Sequence, residues 1–249
     1  MTEVSDHQVA QMFIELTDAL VERFDSIEFL HLLAERSVRL LPVDAAGILL
    51  ADEHGALELV AASSRLARPL EHFLLQSADG PSEESFHSGQ TVRCPDLRAL
   101  PPRWPRFASA AVKLGFLAVD TVPMRLRGEV VGSLNLFRTS AGALPAEAET
   151  LARSFANVAT ISLFQVRPGA ATRAVAEHLE TALSDLVVIE QAKGLLTERL
   201  EIGVADALSL MRNYARNTGQ LLSDVARQVT ERSPAVSGLT RISKPHPRW

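Results

Sequence analysis

Residues 187–231 constrain the fold of this chain most, because three short helical patterns follow one another there with few residues between them. In each pattern the apolar residues recur at spacings of three and four, as one face of a helix requires. Ile202-Gly203 ends the first pattern, and Asn217-Thr218-Gly219 ends the second with a glycine that can adopt the left-handed conformation. Each helix is too short to be stable alone, so the segment predicts a compact three-helix domain with one core. The predicted core residues are Ile189, Ala192, Leu196, Leu200, Ala207, Met211, Tyr214, Ala215, Leu222, Val225, Ala226 and Val229.

Three stretches of this segment resemble a known family. They are residues 189–196 (IEQAKGLL), 205–216 (ADALSLMRNYAR) and 221–229 (LLSDVARQV), and they are similar to the ANTAR domain, a bacterial RNA-binding module of transcription antitermination regulators. The family usually has an arginine three residues before the isoleucine of the first stretch, where this chain has Leu186. The resemblance implies that the module acts as a dimer, binds paired RNA hairpins with small loops and prevents a terminator from forming.

Two arginines of the second helix are the first candidates for RNA contact. Arg212 and Arg216 lie one turn apart on a face away from Met211 and Ala215, and we expect them to be free to meet RNA. Tyr214 could pack in the core or stack on an unpaired loop base.

Three further polar residues complete the candidate site. Lys193 could set helix register or reach a phosphate. Gln191 and Asn213 carry amides suited to the edge of a base. The candidate RNA-binding residues are therefore Gln191, Lys193, Arg212, Asn213, Tyr214 and Arg216.

The charge balance argues against a broad basic RNA-binding face. The whole chain carries a net charge of −5, and residues 184–231 hold five basic and seven acidic residues. Residues 232–249 hold four basic residues and no acid. RNA contact would therefore use a few placed cations and the tail. The same balance favours an alternative function, a signalling adaptor whose helical domain binds a protein partner rather than RNA.

Residues 26–166 predict a different fold, because the apolar period changes there from helical to alternating. The order of elements is typical of an α+β domain in which helices flank an antiparallel sheet. The predicted elements are a helix from Asp25-Ser26 to Pro42, two strands joined at Asp52–Gly55, an irregular middle with Gly80-Pro81 and Gly89, a strand at Thr91–Cys94, a helix over about 105–114, two strands that turn at Arg127-Gly128, and a helix after Pro145.

This region resembles a GAF domain, the small-molecule-sensing fold of many signalling proteins, and in particular the GAF domains that precede ANTAR domains in actinobacterial proteins. The resemblance implies a ligand pocket between the sheet and residues 80–92 and 101–114. In those relatives a cysteine often follows the Gly-Pro pair, where this chain has Ser82. The motifs that carry the resemblance are Gly80-Pro81-Ser82, Gly89-Gln90-Thr91-Val92, Pro95-Asp96-Leu97, Arg103-Trp104-Pro105, Val122-Pro123-Met124 and Gly132-Ser133-Leu134-Asn135-Leu136.

The domain plan that follows has five parts. An N-terminal helix (1–25) precedes the GAF sensor (26–166), a helical linker (167–186), the all-α three-helix ANTAR domain (187–233) and a basic tail (234–249). The linker runs into a heptad seam that predicts a coiled coil and a homodimer. The seam residues are Val175, Leu179, Ala182, Leu186, Ile189, Leu196 and Leu200, with Lys193 at the missing step.

The sequence offers no catalytic apparatus, so we predict that the chain is not an enzyme. The seven histidines are scattered with no pair at the i,i+4 spacing of helical metal ligands, and the phosphate-binding and Gly-x-Ser-x-Gly motifs are missing. No metal or nucleotide motif names a cofactor, so the cofactor is unknown. Cys94, the single cysteine, could be a redox sensor or a small buried hydrophobe.

The combined prediction is a cytoplasmic regulator with no membrane segment, in which the GAF sensor controls the ANTAR output. No apolar run approaches the roughly 18–20 residues that span a bilayer, and the N-terminus lacks the order of a signal peptide. The expected partners are tandem RNA hairpins, a second copy of the chain and a small-molecule ligand at the GAF domain.

Overall fold

The computed structural model describes residues 25–52, 54–63, 80–99, 103–164 and 173–231. The predicted N-terminal helix before residue 25 and the basic tail 234–249 lie outside the described residues.

The first described helix, α1 (Ser26–Leu40), begins where the sequence predicts. The Asp25 side chain accepts hydrogen bonds from the backbone N–H groups of Ile27 (3.0 Å) and Glu28 (3.1 Å), which satisfies two of the donors that a helix start leaves unpaired. The helix ends shortly before Pro42.

Five antiparallel strands form one sheet in the order β2-β1-β5-β4-β3. A tight turn joins the first two strands, because the Asp52 side chain accepts hydrogen bonds from the N–H groups of His54 (2.9 Å) and Ala56 (2.8 Å). The α+β prediction is confirmed. The strands are β1 (Ala45–Ala51), β2 (Leu57–Ala62), β3 (Val92–Cys94), β4 (Ala118–Leu126) and β5 (Glu129–Arg138).

Helices cover both faces of the sheet. The helices α1 and α4 (Ala146–Phe164) pack on one face over Leu134 and Leu136, while α2 (Pro81–Ser88) and α3 (Pro105–Lys113) lie on the other. The sheet therefore forms the middle of three layers.

The helix α2 corrects the sequence prediction, which has an irregular middle at this point. Pro81 opens the helix at its first turn, and Gly89 ends it with φ of 62°, a conformation that favours glycine. The helix is short and mostly polar, so it lacks the apolar period that reveals longer helices.

Three helices form the second unit: α5 (Arg173–Leu200), α6 (Val204–Thr218) and α7 (Leu222–Thr230). Gly219 ends α6 in the left-handed conformation with φ of 63°, as predicted. Most of the predicted core residues are buried, and Leu200 and Tyr214 are partly buried against the same core.

From Arg173 onward, the described part of the predicted linker and the first helix of the three-helix domain form one continuous helix, α5. Among the described side chains of the heptad seam, Leu186, Ile189 and Leu196 are at most 8% exposed and pack into the core of their own chain. These seam positions are therefore not available to a partner helix in this structure, because α6 and α7 already cover the same face.

Candidate nucleic-acid interface

The six candidate RNA-binding residues lie on α5 and α6, with very different exposure. Gln191 and Asn213 are exposed, and Tyr214 is half-buried. Arg216 keeps 61% of its side-chain surface exposed, whereas Arg212 keeps only 12%.

Arg212 is not free, in contrast to the sequence prediction. Its Nη1 donates a hydrogen bond of 2.8 Å to Oε1 of Glu35 on the sensor helix α1. Its Nε and Nη2 are buried without a hydrogen-bond partner among the described residues. The pairing joins residues that are 177 positions apart in sequence, so local sequence patterns could not reveal it.

Arg216 is paired in the same way one turn further along α6. Its Nε donates a hydrogen bond of 3.3 Å to Oε1 of Glu28, also on α1. Burial raises the pKa of Glu28 and outweighs the opposite effect of the Arg216 charge. Both arginines of the candidate site therefore face carboxylates of the sensor.

Lys193 is directed into the protein rather than toward a partner. It is 4% exposed, and its Nζ donates hydrogen bonds of 2.6 and 2.7 Å to the two carboxylate oxygens of Glu190. Of the two interpretations that the sequence left open, this position favours a role in helix packing over contact with phosphate.

Asp25 joins the sensor to the three-helix unit, a role that sequence analysis missed. One oxygen of its carboxylate caps α1, and the other accepts a 3.0 Å hydrogen bond from the backbone N–H of Ser223 in the first turn of α7. The cap position of α7, Leu221, supplies no side-chain cap of its own. A single carboxylate thus caps one helix in each domain.

One more arginine of the three-helix unit is paired with acids. Arg227 donates hydrogen bonds to Asp185 (3.1 Å) and Asp224 (3.5 Å). Burial raises the pKa of Asp185, and the nearby Asp25 carboxylate adds to this effect. Within the described part of the chain, four of the five basic residues from 184 to 231 therefore lie in ion pairs, and Arg199 is the exception.

A cavity of about 70 Å³ lies between the two domains, bounded by α1, β2, α5 and α6. His31 lines it and places its Nδ1 3.4 Å from the backbone oxygen of Ala62. Burial lowers the pKa of His31 to about 3, and the charges of Arg212 and Lys193 add to this effect. The imidazole is therefore neutral at physiological pH.

A cluster of packed aromatic side chains lies on the face of the sheet where the GAF resemblance implies a ligand. Phe137 of β5 stacks on Phe107 at 6.4 Å and contacts Phe116 at 5.2 Å, while Trp104 meets Phe107 edge-on at 6.0 Å. The Arg103 guanidinium lies 5.0 Å from the centre of the Trp104 ring. This packing favours an anchoring role for Arg103-Trp104.

Two further positions of this face can now be placed. The Ser82 hydroxyl, in the position of the relatives' cysteine, donates a 2.9 Å hydrogen bond to Oδ1 of Asn135, which also accepts from Thr121 at 2.7 Å. Burial raises the pKa of the Cys94 thiol, so little of it is thiolate at neutral pH. Both observations favour structural roles.

The architecture defines the class of protein: a sensor-type α+β domain carrying a three-helix output unit. A model of the GAF domain matches residues 25–163, and a model of the ANTAR domain matches residues 177–229. The chain belongs to the GAF-domain family and contains an ANTAR domain, as the sequence predicts. Both are regulatory rather than catalytic domains. The actinobacterial subtype stays a prediction.

Solved structures share the fold of the sensor. The GAF domain from an Acinetobacter phosphoenolpyruvate-protein phosphotransferase is 15% identical, with a TM-score of 0.50, and the match covers 67% of this chain and 99% of that chain. The corresponding GAF domain from Coxiella burnetii is 18% identical, with a TM-score of 0.50, and covers 64% of this chain and 95% of that chain. No curated protein matches the chain. None of the helices in the described ranges has the length and hydrophobicity needed to cross a bilayer.

Proposed function

We propose that this chain is an RNA-binding transcription antitermination regulator, in which the GAF sensor controls the ANTAR output. The observation that carries the proposal is the complete three-helix unit, which matches the ANTAR family over α5, α6 and α7. In this function the output binds paired RNA hairpins, and the bound RNA cannot form a terminator.

The proposed RNA contacts divide by chemistry. Arg212 and Arg216 supply positive charge to phosphates. Gln191 and Asn213 are exposed and carry amides that can read base edges in a hairpin loop, where the bases are splayed and accessible. Tyr214 offers a ring on which an unpaired base can stack.

Two hairpins require two output domains, so we propose a homodimer. The buried seam residues are used within the chain, so we propose a different surface for pairing. Ile161 on α4 is 54% exposed and Val187 on α5 is 53% exposed, and both are large apolar residues on helices that contact each other. Sedimentation velocity of the full chain tests this proposal. Ile161→Asp with Val187→Asp is expected to convert a dimer into a monomer, and a wild-type monomer at micromolar concentration would contradict it.

Fluorescence anisotropy with labelled RNA carrying two short-loop hairpins tests the RNA-binding proposal. Gln191→Ala with Asn213→Ala is the informative variant, because both side chains are exposed and neither contributes to the core. We expect this double variant to bind the RNA at least tenfold more weakly than wild type, while Ser154→Ala with Thr150→Ala on the sensor helix α4 binds normally. Equal affinities of all three proteins would overturn the assignment of the site.

The second candidate function is the protein-binding adaptor, which the ion pairs of the three-helix unit favour. With Lys193, Arg212, Arg216 and Arg227 paired to acids, this unit offers little positive charge in the structure. A folded protein that binds neither a tandem nor a single hairpin at low salt would support the adaptor.

A further inference from the structure

We propose that the acidic face of α1, formed by Asp25, Glu28 and Glu35, is a docking surface for the RNA-contacting side of the three-helix unit, and that RNA and α1 compete for that unit. The inference rests on the proposed RNA-binding function and names its regulation. It concerns a surface of the sensor on the opposite side of the sheet from the aromatic cluster, where a GAF ligand is expected.

The geometry of the contact is ordered along both elements. From the start of α1 to its end, Asp25 accepts from the Ser223 N–H at 3.0 Å, Glu28 pairs with Arg216 at 3.3 Å, and Glu35 pairs with Arg212 at 2.8 Å. Because the later residue of α1 pairs with the earlier residue of α6, the two helices run in opposite directions through this contact.

The carboxylates of α1 resemble the phosphates of an RNA backbone as hydrogen-bond acceptors. Guanidinium groups donate to the anionic oxygens of carboxylates and phosphates with similar geometry, so a glutamate can occupy the position of a phosphate. A backbone N–H at a helix start likewise donates a hydrogen bond to either anion. The acidic face of α1 therefore presents three anionic groups to the donors that RNA would use.

Burial makes the two occupants exclusive at Arg212. Only 12% of the Arg212 side chain is exposed while α1 is docked, so a phosphate cannot reach this guanidinium without displacing α1. Arg216 is 61% exposed, so its guanidinium can still reach an RNA phosphate while α1 is docked. The docked arrangement thus predicts a weak RNA-binding state, and the undocked arrangement a strong one.

The ion pairs of this contact are of a kind that can be reversed, in contrast to the apolar core that α1 shares with the three-helix unit. Glu28 and Glu35 keep 23% and 41% of their side chains exposed, and ion pairs with this access to water are individually weak and screened by salt. A shift of the sensor or an RNA of sufficient charge can therefore exchange these ion pairs for contacts with phosphates.

The test compares two double variants that change the net charge by the same amount. Glu28→Gln with Glu35→Gln removes two anionic groups of the docking surface, whereas Glu129→Gln with Glu147→Gln removes two exposed glutamates elsewhere. In anisotropy titrations of the full chain with tandem-hairpin RNA, we expect the first variant to bind at least fivefold more tightly than the second. Equal affinities would overturn the competition. No RNA binding by wild type or either variant would overturn the proposed function together with it.

Amide hydrogen exchange supplies a readout that affinity alone does not. The Ser223 N–H is protected by Asp25 in the docked arrangement, so saturating tandem-hairpin RNA is expected to increase its exchange at least fivefold in the wild-type chain. RNA that binds and leaves this amide equally protected would overturn the proposal, because α1 would then stay docked.

Discussion

His31 lies at the contact between the sensor and the three-helix unit, and its environment makes the protein sensitive to acid. Its pKa is about 3 in the folded protein, against an ordinary value of 6.5, because burial and the charges of Arg212 and Lys193 disfavour the imidazolium. Between these two values the unfolded chain binds a proton that the folded protein does not. The stability that depends on a neutral His31 is therefore fully present above about pH 6.5, and it falls by roughly 1.4 kcal/mol per pH unit as the pH drops from there toward 3.

The substitution His31→Gln is expected to remove this part of the pH dependence, because an amide can still donate to the Ala62 carbonyl and does not titrate. Urea unfolding at pH 7, 6 and 5 measures the effect, with wild type losing more stability than the variant. The raised pKa values of Glu28 and Asp185 act in the opposite direction, but they are common to both proteins. Parallel curves for the two proteins would contradict the assignment.

Asp120 and Arg138 form the most deeply buried ion pair of the described sensor, with a distance of 2.7 Å and side chains that are 4% and 7% exposed. Burial raises the pKa of Asp120 in spite of the neighbouring guanidinium. We expect Asp120→Ala to destabilise the protein by about 3–5 kcal/mol, because it leaves the Arg138 charge buried without a partner. Asp96→Ala, at an exposed pair, is the control. Similar unfolding midpoints for both variants would argue against a structural role of the buried pair.

At the scale of elements, the start of α7 depends on a residue outside its own domain. Asp25→Ala removes the caps of both α1 and α7, and each lost cap costs about 1 kcal/mol. Asp25→Ser is the matched control, because a serine hydroxyl can cap α1 but is too short to reach Ser223 as well. We expect the first turn of α7 to exchange its amides faster in both variants, and the first turn of α1 only in Asp25→Ala. Unchanged exchange in α7 would show that the cap from the sensor is dispensable.

Substitution of two glycines by alanine is expected to change stability in opposite directions, because one lies between closely packed strands and the other on an open helix face. A Cβ on Gly132 would lie 2.1 Å from the Leu49 carbonyl oxygen, so Gly132→Ala must push β1 and β5 apart and is expected to destabilise by about 1–3 kcal/mol. A Cβ on Gly194, inside α5, meets nothing within 4 Å, so Gly194→Ala is expected to stabilise by about 1 kcal/mol. Thermal unfolding should give a lower Tm for Gly132→Ala and a higher Tm for Gly194→Ala than for wild type. Tm shifts of the same sign in both variants would contradict the packing described for these two positions.

The elements that could be predicted from sequence are those with a local cause. The apolar spacing of α6 and α7, the left-handed Gly219 and the cap at Asp25 all act within one turn of the chain. The short helix α2 was missed because its eight residues lack an apolar stripe, although Pro81 and Gly89 frame it in the way that helix ends prefer.

The site was less predictable because its contacts join distant segments. The spacing of Arg212 and Arg216 on α6 could be read from the sequence, but their partners Glu35 and Glu28 lie 177 and 188 residues away. The sequence left Lys193 open between helix packing and phosphate contact, because a lysine can lie on a core seam when a neighbouring glutamate pairs with it.

On the scale of the whole molecule, sensor and output share a single continuous apolar core. Residues of α1 and α4 belong to the same buried cluster as those of α5, α6 and α7. A conformational change in the sensor can therefore act directly on the output, without a chain of intermediate residues. This arrangement supports a regulator whose RNA affinity depends on how the two domains are docked.

RNA affinity measured at several salt concentrations tests the central claim most directly. The full chain would be titrated with tandem-hairpin RNA, and with a single hairpin as control. We predict tighter binding of the tandem RNA and a shallow dependence on salt, equivalent to about two or three phosphates per chain, since the site offers only a few placed cations. A folded protein that fails to bind the tandem RNA at low salt, or binds both RNAs equally, would contradict the assignment of this chain as an antitermination regulator.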